Sequence, residues 1–286
     1  MTILITGGTG QTGSQLARLL DIAKIPFVIA SRSATVPAPF EAVKFDWFDE
    51  STYRNAFDLR SDIDKVYLVL PPLVDPTAIA KSFIDFAISK GVKRFVLLSA
   101  TVMEKGGAET GKVHELLAES GAEYVVLRPT WFLTTSNFPE NFGTTFASVI
   151  QDFDSIPTVT RDGRVPFVGV EDIAKAAYDA LVSTEKGLKT DRYVLGPQLY
   201  SYDEAAALLS KVLGRTITHQ RISPEESIAS FEELGAEPEY ASMLTSFALQ
   251  IASGAEEAIF RDKKAIIGQV KLEDYFDANK GLWAKN

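Results

Sequence analysis

The stretch "TILITGGTGQTG", residues 2–13, decides the fold. A short apolar run of strand character leads straight into Gly7, Gly10 and Gly13, spaced G-x-x-G-x-x-G, and the residues after it place Leu16, Leu19, Leu20 and Ala23 on one helical face. Each part of the pattern has a physical reason. A tight turn needs a residue tolerant of positive φ, a pyrophosphate needs a backbone without Cβ, and the start of a helix supplies amide donors and the positive end of a dipole. The stretch therefore predicts a βαβ unit that binds a dinucleotide, with Gly7, Thr9, Gly10, Gln11 and Thr12 among its contacts.

The alternation continues outward from there. "PFVIAS" (26–31), a short strand ending in "VKFDW" (43–47), "KVYLVLPP" (65–72) and "RFVLLSA" (94–100) read as strands. Between the last two lies a helix with Ile79, Phe83, Ile84, Phe86, Ala87 and Ile88 on its apolar face. A helix closed by Gly121 and a strand through Val125 to Arg128 follow. Near-continuous apolar strands imply a sheet covered on both faces. The expected fold is α/β, a Rossmann-like doubly wound parallel sheet. Beyond residue 131 the pattern loosens. "FLTTSNFPENFGTTFASVI" (132–150) reads as a loop or lid, and residues 165–181 and 193–214 return to strand then helix, the second with a capping box at Ser201 and Glu204. From Ser223 onward helices of a smaller C-terminal substrate-binding lobe are expected. The division predicted is 1–130 for the NADP(H)-binding part and 131–286 for a mixed substrate lobe, packed as one compact unit.

Composition narrows the chemistry. The 286 residues are 46% hydrophobic and 23% charged, enough for a sizeable core. The longest central apolar run, Val66 to Val74, is interrupted by Pro71 and Pro72 and falls short of the roughly 20 residues of a membrane span. The N-terminus enters a strand at once without a charged leader, so a cytoplasmic location is expected. There is no cysteine, which removes disulfides, thiol catalysis and thiolate metal sites, and with His114 and His219 alone no metal is expected. A net charge of -9 disfavours nucleic acid and anionic membrane, leaving a small-molecule partner. The end of the second strand reads Ser31, Arg32, Ser33 with no carboxylate. A basic residue there pairs with an adenosine 2'-phosphate, so NADP(H) is favoured over NAD(H).

These residues carry a resemblance. The glycine pattern, "FDWFDE" (45–50), "LPP" (70–72), "RFVLLSA" and "LRPTWF" (127–132) resemble the NmrA-like, atypical short-chain dehydrogenases. The longer stretches "FIDFAISKGVKRFVLLSA" (83–100), "EKGG" (104–107), "VPFVGVEDIA" (165–174), "LGPQLYSYDE" (195–204) and "VLGRTITH" (212–219) look like the fungal festuclavine and agroclavine dehydrogenases of ergot (indole) alkaloid biosynthesis. The resemblance implies that Asp46 and Trp47 border the adenine, that Leu70, Pro71, Pro72, Ser99, Ala100 and Thr101 line the cofactor, and that Pro129, Thr130, Trp131 and Phe132 flank the nicotinamide. It also places Lys112 at the family's lysine position, within hydrogen-bonding reach of the nicotinamide ribose, and leaves Glu115, three residues on, as a further catalytic candidate. His114 points to another side of the same helix and reads as packing, with its near-neutral pKa keeping it a candidate for proton transfer.

Four residues before Lys112, where short-chain dehydrogenases keep a tyrosine acid, stands Ala108. Reducing a ketone makes an alkoxide that needs a proton, whereas an iminium ion accepts hydride at an already activated carbon and becomes a neutral amine. The stretch thus fits an oxidoreductase acting on an iminium or imine. Two alternatives stay open: a redox-neutral cyclase of Pictet-Spengler type that retains NADP(H), and a non-catalytic NADP(H) sensor. The substrate pocket is expected from Pro72, Thr101, Trp131, Phe132, Phe138, Phe142, Phe146 and Phe167, with Trp131 the strongest catalytic candidate, since aromatic faces stack on an indole and attract a cation. After "RPTWF" the ergot enzymes continue with Met-Glu-Asn-Phe; this chain reads "LTTSN" from Leu133 to Asn137, so a carboxylate is missing and the alkaloid itself is open.

Overall fold

A computed structural model of the chain describes residues 1–36, 39–133 and 142–285, without the side chains of Phe142 and Thr144. It falls into two compact units, Met1–Arg128 with Ile173–Arg192, and Pro129–Asp172 with Tyr193–Asn286.

The first unit is built on strands β1 (Thr2–Thr6), β2 (Phe27–Ser31), β3 (Ala42–Lys44), β4 (Ile63–Leu68), β5 (Arg94–Leu98) and β6 (Glu123–Pro129). Between them run helices α1 (Gln11–Ile22), α2 (Arg54–Leu59), α3 (Thr77–Ser89) and α4 (Thr110–Glu119). The strands lie in the order β3-β2-β1-β4-β5-β6, all parallel where they pair. That is the order of a Rossmann sheet, with the reversal of strand order between β1 and β4. β1, central in this order, is buried along its whole length, as a strand covered on both faces is. A core of Leu4, Val28, Val66, Phe83, Phe95 and Val126 sits under α2, α3 and α4. Strand Lys189–Leu195 and then strand Ile266–Ile267 extend the sheet beyond β6.

The return of Ile173–Arg192 to the first unit has an identifiable cause. Lys65 donates to the carbonyl of Leu181 at 2.6 Å, and Arg94 donates to the carbonyls of Ala180, Ser183 and Glu185 while pairing with Glu123 at 2.7 Å. Two cations from β4 and β5 therefore satisfy the open carbonyls at the end of helix Val170–Val182.

The second unit packs around Leu133, Ile156, Phe167, Tyr202, Leu209 and Phe276. Its capping box at Ser201 and Glu204 forms as the sequence predicts, and a second one closes Ser223 and Glu226. The stretch after Ser223, expected to be all helix, also contains strand Ile266–Ile267, whose two residues are too few to show a period. Among the described residues, no helix is long and apolar enough to cross a membrane, and no cluster of His, Cys, Asp and Glu could hold a metal ion.

Candidate functional site

The turn between β1 and α1 is shaped by four glycines. Gly7 has φ +65, and its carbonyl accepts from Gly10 N at 2.9 Å, closing the turn. A Cβ on Gly13 would lie 2.5 Å from Gly7 O and 2.8 Å from Gly8 Cα, and one on Gly8 would lie 2.6 Å from Ile29 Cγ2. Gly8 and Gly13 thus let α1 settle against the strand ends. A Cβ on Gly10 would meet only Gly7 O, at 3.1 Å, so its open side is left for a ligand. The pattern search names Gly7, Gly10 and Gly13; the packing role of Gly8 is missed because it depends on Ile29, from another strand.

No side chain caps α1 and its first turn has no acidic residue, so its leading amides and dipole face outward uncompensated. Two buried side-chain oxygens here lack a hydrogen-bond partner, Gln11 Oε1 and Ser31 Oγ. Burying such an atom unpaired costs about 1–3 kcal/mol, which a hydroxyl-rich ligand would offset. Thr9 and Arg32 are exposed, and Arg32 makes no ion pair among the described residues. Thr12 turns its hydroxyl inward, where it accepts from Tyr67 at 3.0 Å, so only its backbone is turned toward the cradle. Asp46 accepts from Phe48 N at 3.0 Å within its own turn, and Trp47 packs edge-on to Phe45 and Phe83. Taken together, the open glycine face, the uncapped helix and the orphaned oxygens fit a dinucleotide phosphate and ribose.

The remaining candidates follow the carboxyl ends of strands, where ligands bind in open α/β sheets. Leu70, Pro71 and Pro72 come after β4, Ser99, Ala100 and Thr101 after β5, and Thr130, Trp131 and Phe132 after Pro129, the last residue of β6. The β5 loop is held by Arg128, which is buried, pairs with Glu104 and Asp191, and donates to the carbonyls of Ala100 and Thr101. Ser99 and Thr110, both buried, share a hydroxyl hydrogen bond of 2.8 Å.

The stretch around Ala108 is rebuilt rather than merely lacking a ring. Helix α4 begins at Thr110, preceded by Glu109 at φ 46 and ψ -119, so Ala108 lies off the helix that bears Lys112. A Tyr-x-x-x-Lys pair needs both residues on one helix face a turn apart. Ala108→Tyr is therefore expected to leave ketone reduction at background; a tenfold gain in NADPH consumption with a ketone panel would show that position 108 still reaches the acid's place. Lys112 donates to Asp75 at 2.5 Å, and this contact, with Thr77, holds the Asp75 carboxyl down at about 2. His114 is buried edge-on to Tyr124 at 5.5 Å, with its Nδ1 unpartnered, and burial pushes its pKa down. Glu115 is exposed on α4 with its carboxylate against Gly106.

In the second unit, Trp131 is half-buried, its carbonyl accepts from Val168 N at 3.0 Å, and with Phe146 it packs on the core. Phe132 is half-buried in a strand beside Val168. Phe167 is buried edge-on to Tyr202 at 5.5 Å, and Phe146 meets the same tyrosine at 6.0 Å. Tyr202 is thus the hub of the predicted aromatics, unnoticed in the sequence because it serves there as the first residue of a helix. Fully buried Glu256 is missed as well, having no local motif; its carboxylate accepts from Thr130 at 3.0 Å. Phe138, the Phe142 side chain and residues 134–141 lie outside the described residues. A cavity of about 560 Å³ in this unit is lined by Arg164, Tyr200, Glu204, Lys211 and Phe260 among others, and by none of the predicted substrate residues.

Residues 1–258 match the NmrA-like family. The chain belongs to that family. It is 39% identical to an agroclavine dehydrogenase of Claviceps fusiformis over 99% of both chains, and 38% identical to a festuclavine dehydrogenase of Aspergillus fumigatus over the full length of both. Among solved structures it resembles a Citrobacter triphenylmethane reductase complexed with NADP(H), with a TM-score of 0.77, 19% identity, and 98% and 100% of the two chains covered. An NADPH-bound quinone oxidoreductase of Escherichia coli superposes with a TM-score of 0.72 at 22% identity, over 99% of this chain and 95% of that one. These structures share the Rossmann-type fold.

Proposed function

We propose that this NmrA-like protein is an NADP(H)-dependent oxidoreductase that reduces an iminium or imine carbon of an indole alkaloid. The observation that carries the reading is Ala108 standing off the helix that bears Lys112, in a chain whose glycine turn and uncapped α1 suit a dinucleotide. The names of its nearly full-length relatives, agroclavine and festuclavine dehydrogenases, support the alkaloid class.

NADPH, when bound, supplies the hydride. The residues of the chain bind and orient. Gly7, Gly10 and the amides of Gln11 and Thr12 would hold the pyrophosphate, Ser31, Arg32 and Ser33 the 2'-phosphate, and Lys112 the nicotinamide ribose. Trp131, with Phe132 and Phe146, gives the indole a stacking wall and stabilises its cation by about 0.5–2 kcal/mol through the ring quadrupole. For an iminium ion no acid is required, because hydride neutralises the C=N⁺ group to an amine without leaving an anion; a neutral imine would react as its protonated form. Trp131→Ala is accordingly expected to lower kcat/KM for a cationic substrate by roughly tenfold while leaving NADPH affinity unchanged, about 1.4 kcal/mol per tenfold. Fluorescence titration and initial rates check both halves, and unaltered rates would remove Trp131 from the site.

The test of the whole reading is NADPH absorbance in the presence of indole-derived iminium ions, with products followed by mass spectrometry. Oxidised cofactor and an amine that has gained one hydride are expected, the protonated product lying two mass units above the iminium ion. Unchanged NADPH with an isomeric cyclised product would replace reduction by cyclisation, and NADPH binding without any product would make the protein a sensor.

A further inference from the structure

The cavity of about 560 Å³ in the second unit takes no part in the proposed reaction, and every residue lining it comes from that unit. Its volume falls within the roughly 300–1,000 Å³ of small-molecule sites. One wall is a single face of helix Tyr202–Leu213. Glu204, Ala207, Leu208 and Lys211 follow at steps of three, one and three residues, the spacing that stacks side chains along one side of a helix. The buried side of the same helix is a different set, Tyr202, Ala205, Ala206 and Leu209. Leu208 therefore stands on the cavity side, where it shares the lining with Pro197, Leu199 and Phe260.

The charges around this apolar strip differ from end to end. The Glu204 carboxylate is already engaged, pairing with Arg164 at 2.5 Å and accepting from Ser201 N at 2.8 Å, so the pair brings no net charge. Beside it the phenol of Tyr200 donates to Gln198, and burial together with the carboxylates of Glu273, Glu204 and Asp274 pushes its pKa up. That end is neutral to acidic. Lys211 lies seven residues on from Glu204, about 10 Å along the helix axis, and makes no ion pair or hydrogen bond among the described residues. We propose that this cavity is a second small-molecule site, one that takes an amphipathic organic anion of the arylalkanoate class, with its aromatic body between Leu208 and Phe260 and its carboxylate on the Lys211 ammonium. A charge-assisted hydrogen bond to Lys211 holds the anion, and the carboxylates around Tyr200 oppose the reversed orientation. The assignment is independent of the reductase reading, whose substrate carries the opposite charge.

Indole-3-propionate and its neutral primary amide are the probes, titrated by calorimetry into the whole chain with NADPH present, so that the nucleotide site is not open to them. The acid is expected to bind one to one and at least tenfold more tightly than the amide. Lys211→Met should bring the acid down to the affinity of the amide, while Lys211→Arg should keep the preference. Ala207→Trp, which fills the cavity from an exposed position on the helix, should remove binding of both probes. All three variants should bind NADPH as the wild type does. No binding of the acid, equal affinity for acid and amide in the wild type, or a preference that survives Lys211→Met overturns the proposal. Binding undiminished in Ala207→Trp does so too, because the probe would then sit elsewhere. Reduction of iminium ions by NADPH, tested separately, neither supports this assignment when it occurs nor weakens it when it does not.

Discussion

Alanine at position 13 is expected to yield a protein that melts well below the wild type and binds no measurable NADPH. Its Cβ would be forced to 2.5 Å from Gly7 O and 2.8 Å from Gly8 Cα, both backbone atoms that cannot rotate away. Overpacking of this kind costs about 1–3 kcal/mol even where side chains can yield, and each kcal/mol lowers the melting temperature of a chain this size by roughly 2–4 °C. The relief available is movement of α1 away from Gly7 and Gly8, which would take the helix amides out of the cradle. Gly10→Ala provides the contrast. Gly10 has φ -80, and its Cβ would meet only Gly7 O at 3.1 Å, on the open side of the turn. That variant should melt close to the wild type and still lose NADPH affinity, since the methyl group occupies the approach of the pyrophosphate. Thermal melts and fluorescence titrations on the pair separate the two roles. NADPH affinity undiminished in both would mean that the turn is not the phosphate site.

Arg32→Ala should weaken NADPH by roughly 10- to 100-fold and leave NADH where it was. The guanidinium is exposed and makes no ion pair among the described residues, so its removal costs the fold little. Charge-assisted hydrogen bonds are worth about 1.5–3 kcal/mol, and 1.4 kcal/mol is tenfold in affinity. Titrating both nucleotides into both proteins reads the ratio directly. Equal loss for the two cofactors would assign Arg32 to a part of the nucleotide they share, and no loss for either would return it to the solvated surface.

The strand-turn-helix that opens the first unit was legible in the sequence because its signals are local. Gly7, Gly10 and Gly13 are punctuated by strand and helix within one βαβ unit, and Arg32 follows directly on a strand that the apolar run "PFVIAS" announces. The absent tyrosine was legible too, but as a change of side chain. That α4 starts two residues after Ala108, so that the motif's geometry is gone as well as its hydroxyl, depends on a backbone angle at Glu109 that no residue type signals. The packing of the second unit was less legible, because its aromatics are assembled by tertiary contacts. Trp131, Phe146 and Phe167 could be named from the sequence, yet the tyrosine on which Phe146 and Phe167 converge, Tyr202, opens a helix some 35 residues beyond Phe167 and shares no period with it. The same holds for Glu256, whose partner Thr130 is 126 residues away. His219 illustrates the opposite case: read as one of two lone histidines without a metal role, it is bonded to Thr158 at 2.8 Å and close to Asp203, a packing residue inside a polar network.

The cations that close the end of helix Val170–Val182 bear on how such a protein can be cut and recombined. Lys65 and Arg94 belong to the first unit, and the carbonyls they satisfy arrive only with residues 180–185. A fragment ending at residue 130 would leave Lys65 and Arg94 without those carbonyls, with Arg94 keeping only Glu123, so the first unit is not excisable as a contiguous piece. The boundaries of the units lie instead at 128/129, 172/173 and 192/193, and residues 129–172 share one core with residues 193–286, so a graft would have to exchange both segments together while keeping 173–192 with the parent.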